Sequence, residues 1–261
     1  MLRYEKFGLH PDIVDCSRII GFIDDYYKLD LGNRPKYEKT ARYSRSTLAI
    51  TVITRCYLRE DVSEARAWVP RFLEYCEDYF FGPWRDVAGS GDYQNDPPDR
   101  AFWDRIAPWK DAFDGCLAWG SAIGEWEFLQ RLGGYFRPDV RQDFSQNPAN
   151  RAWLLCVAGL LHGASWDDVG GYREEITGGR SKRERLLLDL LDAILHGGDA
   201  SLKAASETYF AHYLKSEVHH DQITDKLAGD GSFLMHFAHR NGRSFPVPAK
   251  AEDRMIRLPT S

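Results

Sequence analysis

The sequence predicts an all-α protein of antiparallel helical hairpins, arranged as a bundle or as an irregular helical stack. Three observations predict it. Apolar residues recur at three-and-four spacing in segment after segment, the period of a helix with one buried face. Pro, Gly, Asp, Asn and Ser fall between these segments where helices start and stop. Strands have almost no support, because no sustained period-two run of β-branched residues exists and no Asn-Gly hairpin sits between alternating stretches.

The first helix is expected after Pro11, with Ile13, Ile20, Ile23, Tyr27 and Leu31 near one face and Gly32 as its stop. A second runs from Pro35 to about Leu58, with Tyr43, Leu48, Val52 and Cys56 inward. Asp61-Val62-Ser63-Glu64 has the form of a capping box and opens a third, which ends at Gly82-Pro83. Its inward residues are Ala65, Trp68, Val69, Phe72, Cys76 and Phe80, and Pro70 must either kink it or mark a first turn.

Residues 83–99 combine Gly, Pro and Asp and read as a long polar, acidic loop. Helix resumes from Phe102 through Phe136 in two pieces, with Trp103, Trp109, Phe113, Leu117, Trp126 and Leu129 on the apolar face and Gly133-Gly134 and Pro138 as terminators. Asn147-Pro148 is an N-cap with proline in the first turn, and its helix reaches His162-Gly163. Ser165 caps a short amphipathic segment from Trp166 to Ile176. Ser181 to His196 is the clearest helix, with Leu186, Leu187, Leu190, Leu191 and Ile194 inward and Gly197-Gly198 after it. Asp199 caps a helix carrying Leu202, Ala205, Tyr209, Phe210, Tyr213 and Leu214, and a last helix covers Gly231 to Arg240 before Gly242. The tail after Pro246 is expected to be loose. The organisation is a single helical domain over 1–261, or two sub-bundles, 1–82 and 100–245, joined by the acidic loop.

Composition narrows the function classes. A hydrophobic content of 43% over 261 residues excludes a disordered or fibrous chain. With 34 basic against 39 acidic residues and a formal charge of -5, a non-specific hold on phosphate backbones has no electrostatic support, so nucleic acid is not expected as a partner. No apolar run has signal-peptide length or the roughly 20 residues a membrane span needs, which predicts a cytoplasmic protein with no membrane partner. The five cysteines form no CxxC motif and read as reduced core residues. Their 40-residue spacing, from Cys16 to Cys56 and along Cys76, Cys116 and Cys156, is not matched by any repeat of the flanking residues.

Candidate chemistry is sparse. His212, His219, His220, His236 and His239, with Glu217 and Asp221 nearby, are the best metal candidates, and His236-x-x-His239 could put two imidazoles on one side of a helix. HExxH and ExxH are absent, so helix-end histidines are the preferred reading, with no metal and no cofactor expected. Asp167-Asp168 and Glu174-Glu175 read as solvated helix faces, Gly89-Ser90-Gly91 lacks the strand-to-helix context of an activated serine, and Gly170-Gly171 and Gly178-Gly179 read as helix caps. Most aromatic residues read as core. Trp84 and Tyr93 differ: they stand in the loop with Asp86, Asp92, Asp96 and Asp99, where exposed rings among carboxylates suit capture of a basic protein.

Two segments carry a resemblance. Ala41-Arg42-Tyr43-Ser44-Arg45, followed by the apolar stretch Leu48 to Leu58, and the run Gly231 to Gly242 with its glycine, apolar helix, alanine and closing glycine, resemble the immunity proteins of bacterial polymorphic toxin systems. Within these, the likeness is to the Imm49-like family, with the immunity proteins against PoNe-type DNases a near relation. The resemblance implies a non-enzymatic protein that binds and neutralises a cognate toxin, basic and of nuclease type, by direct contact in the cytosol. A helical-repeat scaffold or adaptor is the second reading, and a metal-dependent hydrolase using the C-terminal histidines the third.

Overall fold

The computed structural model describes residues 2–28, 35–81, 109–135, 147–216 and 223–259, with side chains described there except at 24–28, 35–44, 109–111, 135, 224 and 225. Among the described residues it holds twelve α-helices and no strand, in agreement with the predicted all-α class. The chain divides into two compact units, Met1–Cys116 and Leu117–Ser261.

In the first unit, α1 (Arg3–Lys6) and a 3-10 turn (Pro11–Val14) precede α2 (Ser17–Lys28), α3 (Pro35–Leu58), α4 (Val62–Phe81) and α5 (Trp109–Gly115). The expected start after Pro11 is corrected here: the chain makes one 3-10 turn, passes through extended Asp15, and restarts at Ser17. Asp15 Oδ1 accepts from both the N–H and the hydroxyl of Ser17, and this local turn competes with helical continuation. Ile13 is consequently exposed, and Val14 takes the buried position.

The centre of the unit is the α3–α4 hairpin. Val52, Ile53 and Cys56 of α3 and Val69, Phe72, Cys76 and Phe80 of α4 are sealed from solvent, each large side chain contributing about 1.5–3 kcal/mol by burial. Asp61 caps α4, its Oδ1 accepting from the Glu64 N–H at 3.3 Å, while Glu64 turns to the Trp68 indole N–H at 2.8 Å instead of closing the box. Pro70 stands inside α4 and is exposed, so its ring displaces no core side chain. Buried Arg45 reaches Asp78 at 3.6 Å and lies over the Tyr75 ring at 5.7 Å, tying the two helices with a charge.

In the second unit a π turn (Cys116–Gly120), whose first residue belongs to the first unit, runs into α6 (Ser121–Ile123), followed by α7 (Trp126–Tyr135), α8 (Pro148–Leu161), α9 (Gly170–Gly178), α10 (Lys182–Leu195), α11 (Asp199–Ser216) and α12 (Gly229–Arg240). Further 3-10 turns cover Ile223–Lys226 and Ala249–Arg254. Helix α8 is the axis of the unit. Ala152 to Ala158 are buried without interruption, as in a helix surrounded by others, and it packs against α7, α9 and α10. Its N-cap is as predicted, with Asn147 Oδ1 accepting from Ala149 and Asn150.

Three expectations are corrected in this unit. Gly133-Gly134 does not end α7, which continues to Tyr135. Gly133 instead lets α7 approach α8, since a Cβ there would stand 2.5 Å from the Ala158 carbonyl oxygen. Ser165 does not cap a helix at Trp166: it pairs with Asp168 in a turn, and α9 begins only at Gly170. The tail after Pro246 is not loose. Ala251, Met255, Ile256 and Leu258 are buried, Ala228 N–H donates to the Arg254 carbonyl at 2.8 Å, and Ile256 N–H donates to Ser232 Oγ at 2.8 Å.

Candidate functional site

All six residues proposed for partner binding, Trp84, Asp86, Asp92, Tyr93, Asp96 and Asp99, lie outside the described residues, as do Ser90, Glu217, His219, His220 and Asp221. Phe81, the last residue of α4, is the described residue that precedes the 83–99 segment in the chain. It is one of four large hydrophobic residues exposed among those described, with Leu2, Ile13 and Phe22, and all four belong to the first unit.

The histidines of α12 do not act as a pair. Their rings are 6.5 Å apart and nearly perpendicular, and the C-terminal tail occupies one of them: His236 Nε2–H donates to the Ile256 carbonyl at 2.9 Å. Burial holds the His236 pKa below the ordinary histidine value, so the ring is a neutral donor at neutral pH. His239 points to solvent. On α11, the His212 pKa is lowered by desolvation first and then by Lys182, Lys215 and Arg183. Among the described residues no group of three His, Cys, Asp or Glu side chains is placed to hold a metal ion.

The paired carboxylates serve local structure. Asp168 accepts from the Ser165 hydroxyl and N–H, which lowers its pKa, and Glu175 pairs with Arg151 of α8 at 2.9 Å. Asp167 and Glu174 are exposed, as a solvated face requires.

Among the described residues, the one buried carboxylate is elsewhere. Glu184, in the first turn of α10, is only 3% exposed and is ringed by donors. Ser181 Oγ donates to Oε2, while Oε1 meets Arg183 Nη1 at 2.8 Å and Asn150 Nδ2 of α8 at 3.4 Å. The other end of the Arg183 guanidinium pairs with Asp230 of α12. Buried Tyr209 of α11 lies by Asp230 and the Gly231 N–H, and burial foremost raises its pKa. Burial also pushes the Glu184 carboxyl up, but the Ser181 hydroxyl and Arg183 outweigh it and the net shift is downward. Such a carboxylate is a fixed anion whose acceptor sites are occupied, so together with Arg183 it ties α10 to α8 and α12 and does not present a free base.

No family model matches this chain, and no curated protein or solved structure matches it either.

Glu184 is not among the candidate residues named from the sequence. Two signals marked it. Ser181 and Glu184 have capping-box spacing, and Glu184 lies three, four and seven residues before Leu187, Leu188 and Leu191 on the buried stripe. The aromatic expectation fares well: Trp68, Trp119 and Trp153 are buried. Trp126 and Trp166 are half-buried, with the Arg240 and Arg173 guanidinium groups over their rings at 4.7 and 4.4 Å. No described helix is long and apolar enough to cross a membrane.

Proposed function

We propose that this chain is an immunity protein, which neutralises a cognate bacterial toxin in the cytosol by direct protein-protein contact. The observation that carries this reading is the concentration of charge in residues 83–99. Four aspartates, Asp86, Asp92, Asp96 and Asp99, stand there against one arginine, Arg85, more than half of the chain's net charge of -5. Trp84 and Tyr93 in the same segment are of the residue type that anchors interfaces, and Phe81, just before it in the chain, is exposed. A basic toxin, such as a nuclease that must hold phosphate, is the partner such a segment would attract, with carboxylates standing where phosphates would bind.

The resemblance to immunity proteins adds support through where its two segments fall. Residues 41–58 belong to α3 and 231–240 to α12, helices with extensive buried faces. Patterns seated in core helices concern the fold that presents an interface, while contact residues vary with the toxin.

The test is co-expression with the open reading frame adjacent to this gene. Rescue of cells from a toxic neighbour, with a one-to-one complex that weakens as salt rises, is the expected result. A toxic neighbour that kills despite this protein, or that shows no complex at low salt, overturns the reading.

A further inference from the structure

The four cysteines of the first unit meet as two pairs, each joining separate elements. Cys16 lies in the short link between the 3-10 turn and α2, and its sulfur is 3.7 Å from that of Cys56 in α3. Cys76 of α4 is hydrogen-bonded to Cys116 where α5 gives way to the π turn. The 40-residue spacing of the sequence therefore has a spatial meaning, although it reflects no repeat.

The pairs differ in what they allow. Cys76 and Cys116 are fully buried, Cys76 inside α4 and Cys116 at the start of the π turn that continues α5. Cys16 retains slight exposure and sits outside any helix, next to Asp15 in extended conformation. A disulfide needs the sulfurs at about 2.05 Å, so the Cys16–Cys56 gap must close by roughly 1.7 Å, a movement that a link can make more readily than a packed helix. Three consecutive residues of α3 already hold the N-terminal segment at this point. Arg55 donates to the Asp15 carbonyl, Cys56 faces Cys16, and Tyr57 lies 4.2 Å under the Arg3 guanidinium.

We propose that Cys16 and Cys56 are an oxidisable pair, which a low-molecular-weight disulfide converts into a covalent staple between the N-terminal segment and α3. Cys16, as thiolate, attacks one sulfur of the small disulfide RSSR; a Cys16–S–SR bond forms, the S–S bond of the reagent breaks, and RS⁻ leaves and takes up the proton Cys16 gave. Cys56 then loses its proton and attacks the Cys16 sulfur, forming the Cys16–Cys56 bond and expelling a second RS⁻, which is protonated in turn. Two protein thiols have lost two electrons and two protons, and one RSSR has become two RSH. Burial foremost, with the neighbouring Cys16 adding to it, raises the Cys56 pKa to about 12, so the second step is slow at neutral pH and gains about tenfold per pH unit.

The test uses the native full chain incubated with oxidised glutathione, followed by alkylation and non-reducing peptide mass mapping. The expected product is a Cys16–Cys56 linked peptide pair that dithiothreitol reverses. It should form faster as pH rises and be accompanied by slower proteolysis of the N-terminal segment. Cys76, Cys116 and Cys156 should stay alkylatable only after denaturation. In Cys56→Ala the reaction should stop at a glutathione adduct on Cys16. A wild-type protein that accumulates this adduct without the linked pair, that leaves Cys16 and Cys56 unmodified, or that oxidises Cys76–Cys116 equally fast overturns the proposal.

Discussion

Glu60 adopts a left-handed backbone with φ of 64° at the end of α3, where Gly163 and Gly242 serve α8 and α12. Its N–H bonds the Tyr57 carbonyl and the Asp61 N–H bonds that of Cys56, the Schellman pattern that closes a helix and turns the chain into α4. A side chain pays a steric cost in that conformation, so Glu60→Gly should stabilise the protein by about 0.5–1 kcal/mol, read by chemical denaturation. Glu184 is the opposite case, a residue whose surroundings are built for it. Glu184→Ala removes the buried acceptor that Arg183, Ser181 and Asn150 share and should cost about 1.5–3 kcal/mol at neutral pH. Because its folded pKa lies below the ordinary value of 4.5, the stability tied to ionised Glu184 is complete above that pH. It is lost as the pH falls through the folded value, so the gap between wild type and variant should narrow there.

At the scale of elements, close approach and docking decide what periodicity cannot. Gly133→Ala improves helix propensity by about 1 kcal/mol, yet the new methyl would stand 2.5 Å from a backbone oxygen of α8 and 3.2 Å from Leu161 Cβ. Overpacking should win, with a net loss of about 1–3 kcal/mol in denaturant titration. The C-terminal tail makes the same point with more atoms. Deleting residues 246–261 removes buried Met255 and Ile256, worth about 1.5–3 kcal/mol each, and takes from His236 and Ser232 their hydrogen-bond partners. A marked fall in melting temperature is expected, and an unchanged one would mean that the tail only decorates the surface.

For the molecule as a whole, the charge of residues 83–99 is the feature that bears on its proposed partner. Replacing Asp92, Asp96 and Asp99 together by Ala should leave the stability within about 0.5 kcal/mol of wild type if the segment serves the partner and not the core. Toxin association should slow by about tenfold at low salt, with little effect at high salt, where steering is already screened. Stopped-flow or surface-binding kinetics over a salt series would read this, and unchanged rates would move the interface elsewhere.

By itself, the sequence determined the all-α class, the limits of α3 and the cap at Asn147, because these depend on residues within one or two turns of each other. It also determined that the cysteines are core residues, since no pattern placed them in a motif. The tertiary structure decided what depends on contacts distant in the chain. Gly133 as a packing residue, the anchored tail over His236, the bond of buried Glu184 to Asn150 of α8 and the meeting of Cys16 with Cys56 all join groups 20 or more residues apart. Apolar period reports which face of a helix is buried; it carries no information about which other face, carbonyl or thiol will be brought against it. The division between Cys116 and Leu117 falls within a run of continuous apolar spacing, where chain composition does not change and only the pattern of packing does.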